Sequence, residues 1–275
     1  MYVNTRVNKI IGTICLLAAS SLLNASETML QPRMLIDAHT AGVLPKASFD
    51  FQTRIYPSGD TTISGSGLGL AISVGLTDRL TIGISYGGDG LIGRGVAKPN
   101  PFPGGLIKYR LIEETFALPA IAIGYDHQGY GGIMDENVYK GYVYKSPGFF
   151  AAASKNYLIF STMQLGFHGG INFSLEEYKE IHWPNGYFGI DLGINEELAI
   201  IAEYDAALNE QDRYAEKKSY ANPLRGYLNL GIRWAFTPSL FIEAAAKDLL
   251  QNKLSANANP LNWSREFKLV YVTHF

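Results

Sequence analysis

Hydrophobic residues alternate with small or polar residues along most of the chain after Lys46. In the first such segment Phe49, Phe51 and Ile55 alternate with Asp50 and other polar residues. Successive side chains of a β-strand point to opposite faces, so each segment has one apolar face and one polar face. The pattern predicts twelve strands, near residues 49–55, 67–76, 80–87, 107–111, 120–126, 148–155, 157–167, 187–194, 198–205, 228–234, 240–247 and 266–275.

The connections between these strands alternate in length. The short ones fall at residues 77–79, 113–116, 155–156, 195–197 and 237–239, and the long ones at 57–66, 88–104, 127–147, 169–186, 207–225 and 249–264. Outer-membrane barrels have short periplasmic turns and longer extracellular loops. The sequence therefore predicts an all-β fold: a closed antiparallel transmembrane β-barrel of about 12 strands. An even strand number places both ends of the barrel on the periplasmic side.

The charges follow the same alternation. The predicted sixth and seventh strands (148–155 and 157–167) alternate less cleanly. In the strands that alternate clearly, no Asp, Glu, Lys or Arg occupies the apolar face, whereas the opposite face is rich in both signs. If that face lines a lumen, its charges pair or are hydrated there; the alternative is an ordinary solvated sheet face. The predicted lumen-lining residues are Asp50, Arg54, Lys108, Arg110, Asp126, Asp191, Glu203, Asp205, Arg233, Glu243, Lys247, Glu266 and Lys268.

The N-terminus has the pattern of a secretory signal peptide. Arg6 and Lys9 precede an apolar stretch at residues 10–23, and a Leu-Asn-Ala sequence precedes Ser26. This divides the chain into a signal peptide (1–25), a periplasmic or plug-like segment (26–45) and an outer-membrane barrel (46–275). The one cysteine, Cys15, lies in the signal peptide, so the mature chain is predicted to form no disulfide.

Composition excludes several other classes. The formal net charge is −2, which gives no reason to expect a nucleic-acid partner. A mean hydropathy of +0.01 is far too low for a multi-helix membrane protein. The uncharged stretch at residues 156–175 is the best helix candidate, but its glycines and partial alternation favour strands. No metal and no cofactor are expected.

The C-terminal strand resembles the signal by which bacterial outer-membrane proteins are recognised for barrel assembly. Its residues are Phe267, Leu269, Tyr271 and the terminal Phe275. The expected partners are therefore the barrel-assembly machinery, outer-membrane lipid and lipopolysaccharide. Aromatic residues near both ends of the predicted strands fit the interfacial girdles of such barrels: Tyr86, Tyr125 and Tyr204 at one end, Phe116, Trp234, Phe236 and Phe275 at the other.

A more particular resemblance lies in the middle of the chain. The stretch LPAIAIGYD (118–126) leads into GYGG (129–132) and later into ASKNY (153–157). These stretches, with residues 37–51 and 202–205, resemble the YjbH-like outer-membrane proteins, a family tied to exopolysaccharide production. Members of that family are usually much longer, so the resemblance implies a single-barrel relative. It also implies polysaccharide or an export complex as a partner.

Candidate chemistry is sparse. Among the five histidines, only His127 and His168 are expected to meet near a lumen mouth. The adjacent pair Asp126-His127 suggests a protease or a metal site. His168 suggests a lipase, but the sequence around it lacks the serine-containing motif of such enzymes. Neither is specific, so no catalytic and no metal residue is predicted. The loop tyrosines either stack on sugar rings or pack within an ordered loop; they are Tyr130, Tyr139, Tyr142 and Tyr144.

Three functions remain open from the sequence. The first is a narrow pore or export-associated barrel in the outer membrane of a Gram-negative bacterium, linked to cell-envelope polysaccharide. The second is a structural or partner-binding barrel without conductance. The third is a barrel enzyme, and the absence of a convincing active-site motif makes the protein a predicted non-enzyme.

Overall fold

The computed structural model describes residues 32–57, 65–94, 96–136, 139–160, 163–176, 183–210, 225–252 and 263–275. The predicted signal peptide and residues 26–31 lie outside these ranges. None of the described residues belongs to a helix that is long and apolar enough to cross a membrane. The strands are β1 (Ser48–Pro57), β2 (Gly65–Thr77), β3 (Leu80–Gly93), β4 (Lys98–Pro99), β5 (Gly104–Ile112), β6 (Ala120–Asp126), β7 (Tyr130–Glu136), β8 (Tyr139–Tyr144), β9 (Gly148–Ile159), β10 (Met163–Phe173), β11 (Asn185–Gly193), β12 (Leu198–Asp205), β13 (Tyr227–Thr237), β14 (Leu240–Lys247) and β15 (Ser264–His274).

Twelve of these strands form one closed antiparallel sheet. Its order around the barrel is β1, β2, β3, β5, β6 and then β9 to β15 in sequence, after which β15 pairs with β1. The closing register places Ser48 opposite His274. The two-residue strand β4 adds to the edge of β3, and β7 pairs with β8 in a separate hairpin. The predicted closed antiparallel barrel of about 12 strands is confirmed.

Short turns connect the strands at one end of the barrel, at residues 78–79, 113–119, 160–162, 194–197 and 238–239. Side-chain oxygens accept backbone N–H groups in these turns: Thr77 and Thr237 Oγ1 accept from Leu80 and Leu240, each at 3.0 Å. The opposite, long-loop end carries the longer connections. The barrel begins with β1 and finishes with β15 at the short-turn end.

The predicted turn at residues 155–156 is wrong. Strand β9 continues through Lys155 and Asn156, which pair with Phe167 and Gly166 of β10, and the turn falls at 160–162. These two polar residues look like a turn, yet the preceding turn (113–119) binds both. Lys155 donates to its carbonyls, and Asn156 Nδ2 donates to Glu114 at 2.7 Å. A contact between residues forty positions apart is invisible to a local pattern.

The two faces of the barrel wall differ sharply. Charged side chains on the inner face are largely buried, while apolar side chains on the outer face are exposed; Ile232, for example, is 53% exposed. Among the described residues of the twelve barrel strands, the outward charged side chains are Lys155 near the short turns and Arg265 near the long loops, where it lies over Trp263. This arrangement is the reverse of that in a water-soluble protein.

Candidate functional site

The predicted lumen-lining residues lie on the inner face of the barrel. Ten of the thirteen are buried, and Arg110, Asp205 and Arg233 are partly buried. Most are brought together around the chain that precedes β1, but Arg110 and Asp205 are not. Arg110 donates to the Asp78 carbonyl at the short-turn rim, and Asp205 accepts from Asn185 near the long loops.

Residues 32–45, here called the inserted segment, run inside the barrel. Residues 33–40 form a small hairpin, in which Thr40 N–H donates to the Arg33 carbonyl and Leu35 N–H donates to the Ala38 carbonyl. The tip of the hairpin is formed by Ile36 and Asp37. The segment contacts inward side chains from strands on all sides of the barrel, so it occupies the interior along the axis.

Glu203 of β12 holds the tip of the inserted segment through its main chain. One carboxylate oxygen, Oε2, accepts the N–H groups of Ile36, Asp37 and Ala38 at 2.9, 2.9 and 2.8 Å. The other oxygen accepts from Asn229 at 2.8 Å. Hydrogen bonds to an ionised acceptor are the stronger kind, so Glu203 is a principal anchor of the tip.

Cationic side chains bind the carbonyls of the same hairpin. Lys108 donates to Arg33 O at 2.8 Å, Arg233 donates to Met34 O at 3.0 Å, and Lys268 donates to Ile36 O at 3.1 Å. The barrel wall thus satisfies the donors and the acceptors of a turn that makes few hydrogen bonds of its own.

The side chains of the inserted segment also form ion pairs with the wall. Asp37 pairs with Arg54 at 2.7 Å and with Lys247 at 2.5 Å, while Arg33 pairs with Asp50. Glu266 joins the two cations at 3.0 and 3.1 Å. These groups are buried or nearly so, and both signs meet at the tip.

Apolar contacts of the inserted segment depend on glycines in the wall. A Cβ atom at Gly189 would lie 2.4 Å from Leu35 Cδ1, and one at Gly231 would lie 3.2 Å from Ile36 Cδ1. Both glycines are inner-face positions of β11 and β13. The small residues that suggested a lumen face therefore leave room for a segment inside the barrel.

The hairpin formed by β7 and β8, here called the inner hairpin, approaches the tip from the long-loop end. The Tyr130 ring lies over the Arg54 guanidinium at 4.1 Å, and Lys247 Nζ lies 4.5 Å from the centre of the Tyr144 ring. Tyr130 also contacts Met34 of the inserted segment. Of the loop tyrosines, Tyr130, Tyr142 and Tyr144 are buried, and the Tyr139 side chain lies outside the described part.

Little space is left between the inserted segment and the inner hairpin. Two cavities inside the barrel, one beside His39 and one beside Arg54, have volumes of about 50 and 60 Å³. Cavities of that size hold a few water molecules and no monosaccharide. In this conformation the described interior is occupied at the level of Asp37.

The histidines do not meet as expected. His127 lies near the outer wall, where its Nδ1 bonds the Tyr125 hydroxyl at 2.8 Å. Asp126 turns the other way and bonds His39 of the inserted segment at 2.9 Å. His182 lies outside the described residues. Among those residues, no group of three or more His, Cys, Asp or Glu side chains has metal-binding geometry.

His168 does have a serine and an aspartate as neighbours. Its Nδ1 bonds Ser154 Oγ at 2.8 Å, and its Nε2 bonds Asp191 at 2.5 Å. In a catalytic triad the serine is on Nε2 and the aspartate on Nδ1, so the two nitrogens are exchanged here. Ser154 Oγ also accepts the Ala41 N–H at 2.8 Å. The arrangement anchors the inserted segment, and the sequence prediction missed Ser154.

The residues of the predicted assembly signal lie on the strand that closes the barrel. Phe267, Tyr271 and Phe275 are exposed on the outer face and Leu269 is partly exposed. Phe275 N–H donates to the Ala47 carbonyl at 2.8 Å, which ties the C-terminus to the start of β1.

No protein-family model matches the sequence, and no curated protein is significantly similar to it. Among solved structures, the chain is similar to the NanC porin (9% identity, TM-score 0.44, covering 82% of this chain and 99% of that one). It is also similar to the KdgM porin (8%, 0.41, 83% and 99%) and to the outer membrane protein Omp33 of Acinetobacter baumannii (12%, 0.44, 84% and 99%). These values identify neither a cargo nor a mechanism, and the YjbH-like resemblance stays a prediction.

Proposed function

We propose that this protein is an outer-membrane barrel for the passage of a solute, closed at rest by the inserted segment and open when that segment withdraws. The observation that carries the proposal is the way the tip is held. Its main chain and Asp37 bind charged wall residues, above all Glu203, Arg54 and Lys247. When the tip leaves, water and solute ions can take its place as partners of these charged groups. They could not do so for hydrophobic wall residues. The net stabilisation from buried ion pairs is small.

Placement in the outer membrane is supported by the outer face of the barrel. Apolar side chains cover it, and its charged residues, Lys155 and Arg265 within the described part of the twelve barrel strands, lie near the two ends. Bacterial outer-membrane barrels carry such an apolar band between two rims. The short-turn end would then face the periplasm, and the inserted segment would enter from there.

Substitution of a residue in the middle of the apolar band tests this placement. Ile232→Arg is expected to lower the free energy of unfolding by about 2–4 kcal/mol in lipid vesicles, because a cation would face the acyl chains. Ile232→Leu and Phe236→Arg, the latter near the short-turn rim, serve as controls and are expected to cost far less. Urea unfolding followed by tryptophan fluorescence measures the difference. Equal losses for Ile232→Arg and Phe236→Arg would argue against a membrane around this band.

Single-channel recording in planar bilayers tests the proposed passage. The full chain is expected to be silent for most of the recording time, with rare openings. The second candidate, a structural or partner-binding barrel, is favoured by the occupied interior itself. It predicts silence both before and after the inserted segment is released. Current from the released form alone would exclude the second candidate.

A link to cell-envelope polysaccharide is also part of the proposal. It is supported by the resemblance of residues 118–126 and 153–157 to YjbH-like proteins, which are tied to exopolysaccharide production. A strain that lacks the protein is expected to release less exopolysaccharide than its parent. Unchanged polysaccharide, with the protein expressed in the parent strain, would remove this link and leave the barrel's passage function untouched.

A further inference from the structure

The Asp37 carboxylate occupies a pocket built from wall residues. Arg54 and Lys247 approach it from β1 and β14 at 2.7 and 2.5 Å, and both cations are almost fully buried. The rings of Tyr130 and Tyr144 lie over the same two cations and hold them in place from the long-loop side. All of these groups belong to the barrel wall or to the inner hairpin, and none belongs to the inserted segment.

Around the tip, wall cations share carboxylates in pairs. Arg233 and Lys268 share Glu243, and Arg54 and Lys247 share Glu266. Each pair of cations thus has one carboxylate of the wall between them. A buried cation without enough counter-charge is costly, so withdrawal of Asp37 leaves a site that favours another anion.

The wall also offers a hydrogen-bond acceptor, Glu203, close to the anion pocket. The N–H of Asp37 donates to Glu203 Oε2 at 2.9 Å while its carboxylate pairs with Arg54 and Lys247. One residue thus spans an anion pocket and a carboxylate acceptor. After withdrawal, Glu203 retains its bond from Asn229 and presents its other oxygen to the interior.

We infer that Arg54, Lys247 and Glu203 form a binding site for a small carboxylic acid that carries a hydrogen-bond donor, an amide N–H or a hydroxyl, two carbon atoms away from its carboxylate, as in Asp37 itself. This inference rests on the proposed function, since the site becomes accessible when the inserted segment withdraws. Asp37 is the internal occupant of the site, and the solute competes with it. A solute that binds there also stabilises the open state, because it takes over the partners of the tip.

The test uses N-acetyl-aspartate amide as the probe and N-acetyl-asparagine amide as its uncharged match. Binding is measured by calorimetry on the purified full chain in which a glycine-serine chain of the same length replaces residues 33–42, so that the internal carboxylate and the anchored tip are both removed. The acid is expected to bind at least about tenfold more tightly than the amide, the difference that one charge-assisted pair provides. It is also expected to bind this variant more tightly than the wild-type chain.

A second variant separates this site from a general affinity for anions. The same replacement combined with Lys247→Gln leaves Arg54 paired with Glu266, and is expected to fold but to lose the preference for the acid. The inference would be overturned if sulfate competed for the site as strongly as the acid does, or if the acid and the amide bound equally tightly. Because calorimetry needs no current, binding without any conductance would count against the proposed passage and leave the site standing.

Discussion

Replacement of residues 33–42 by a glycine-serine chain of the same length is expected to turn a silent barrel into one with a steady current in planar bilayers. This stretch supplies the groups that Glu203, Arg54 and Lys247 hold, and it includes the Ala41 N–H bonded to Ser154. A flexible chain retains the tether but none of those side chains. A twelve-strand barrel lies between barrels filled by side chains and wide aqueous porins, so a narrow pathway is expected.

The control for this replacement is Glu113→Gln, a charge change in an exposed turn, where Glu113 pairs with Arg79. It is expected to leave the barrel as silent as the wild type. Circular dichroism and the heat-dependent shift in gel mobility check that both variants are folded. A folded replacement variant without current would contradict the role of the inserted segment. It would indicate that the inner hairpin closes the barrel.

Loss of Lys247 is expected to have the largest effect on stability. This residue is 1% exposed, and its ammonium pairs with Asp37 and Glu266. Lys247→Met leaves those two carboxylates with Arg54 as their shared partner, and removal of one member of a buried ion pair costs about 3–5 kcal/mol. Urea unfolding of the protein in vesicles measures the loss.

A double-mutant cycle identifies the origin of that loss. Asp37→Asn in the Lys247→Met background removes one of the stranded carboxylates and is expected to restore part of the lost stability. Lys155→Met, a lysine whose ammonium binds turn carbonyls at the rim, is the matched control and is expected to cost much less. A loss at Lys247 no greater than at Lys155, or strict additivity in the cycle, would show that the buried network is not what holds the tip.

The barrel could be predicted from the sequence because its determinants are local. Alternation of period two defines a strand by itself, and the lengths of successive connections define which end each turn belongs to. The inner-face charges follow from the same alternation. Because alternate residues of a strand point to opposite faces, the position of Glu203 or Lys268 along its strand determines that it faces inward. The turn between β9 and β10 is not at residues 155–156 as predicted. Lys155 and Asn156 look like turn residues because they are polar, but their polar groups bind the turn at 113–119, which is distant in the sequence.

The contents of the barrel could not be predicted in the same way. Residues 32–45 have no alternation, and their partners are distributed over wall strands from β1 to β15. The bond between His168 and Ser154 illustrates the limit. The two residues are direct cross-strand partners, but only when β9 is continued past residue 155. One misplaced turn therefore hid the anchor, and no local signal in the sequence marks Asp37 as the partner of Arg54 and Lys247.

A reversible covalent link between the inserted segment and the wall tests whether the segment closes the barrel. Ala41→Cys with Ser154→Cys places two thiols at positions whose backbone N–H and side-chain oxygen lie 2.8 Å apart, in a chain whose native cysteine, Cys15, is changed to serine. Single-channel recording then compares the oxidised and the reduced protein. No openings are expected while the disulfide is intact, and openings are expected to appear when a reductant is added. Equal currents before and after reduction, with the disulfide verified by mass spectrometry, would contradict it.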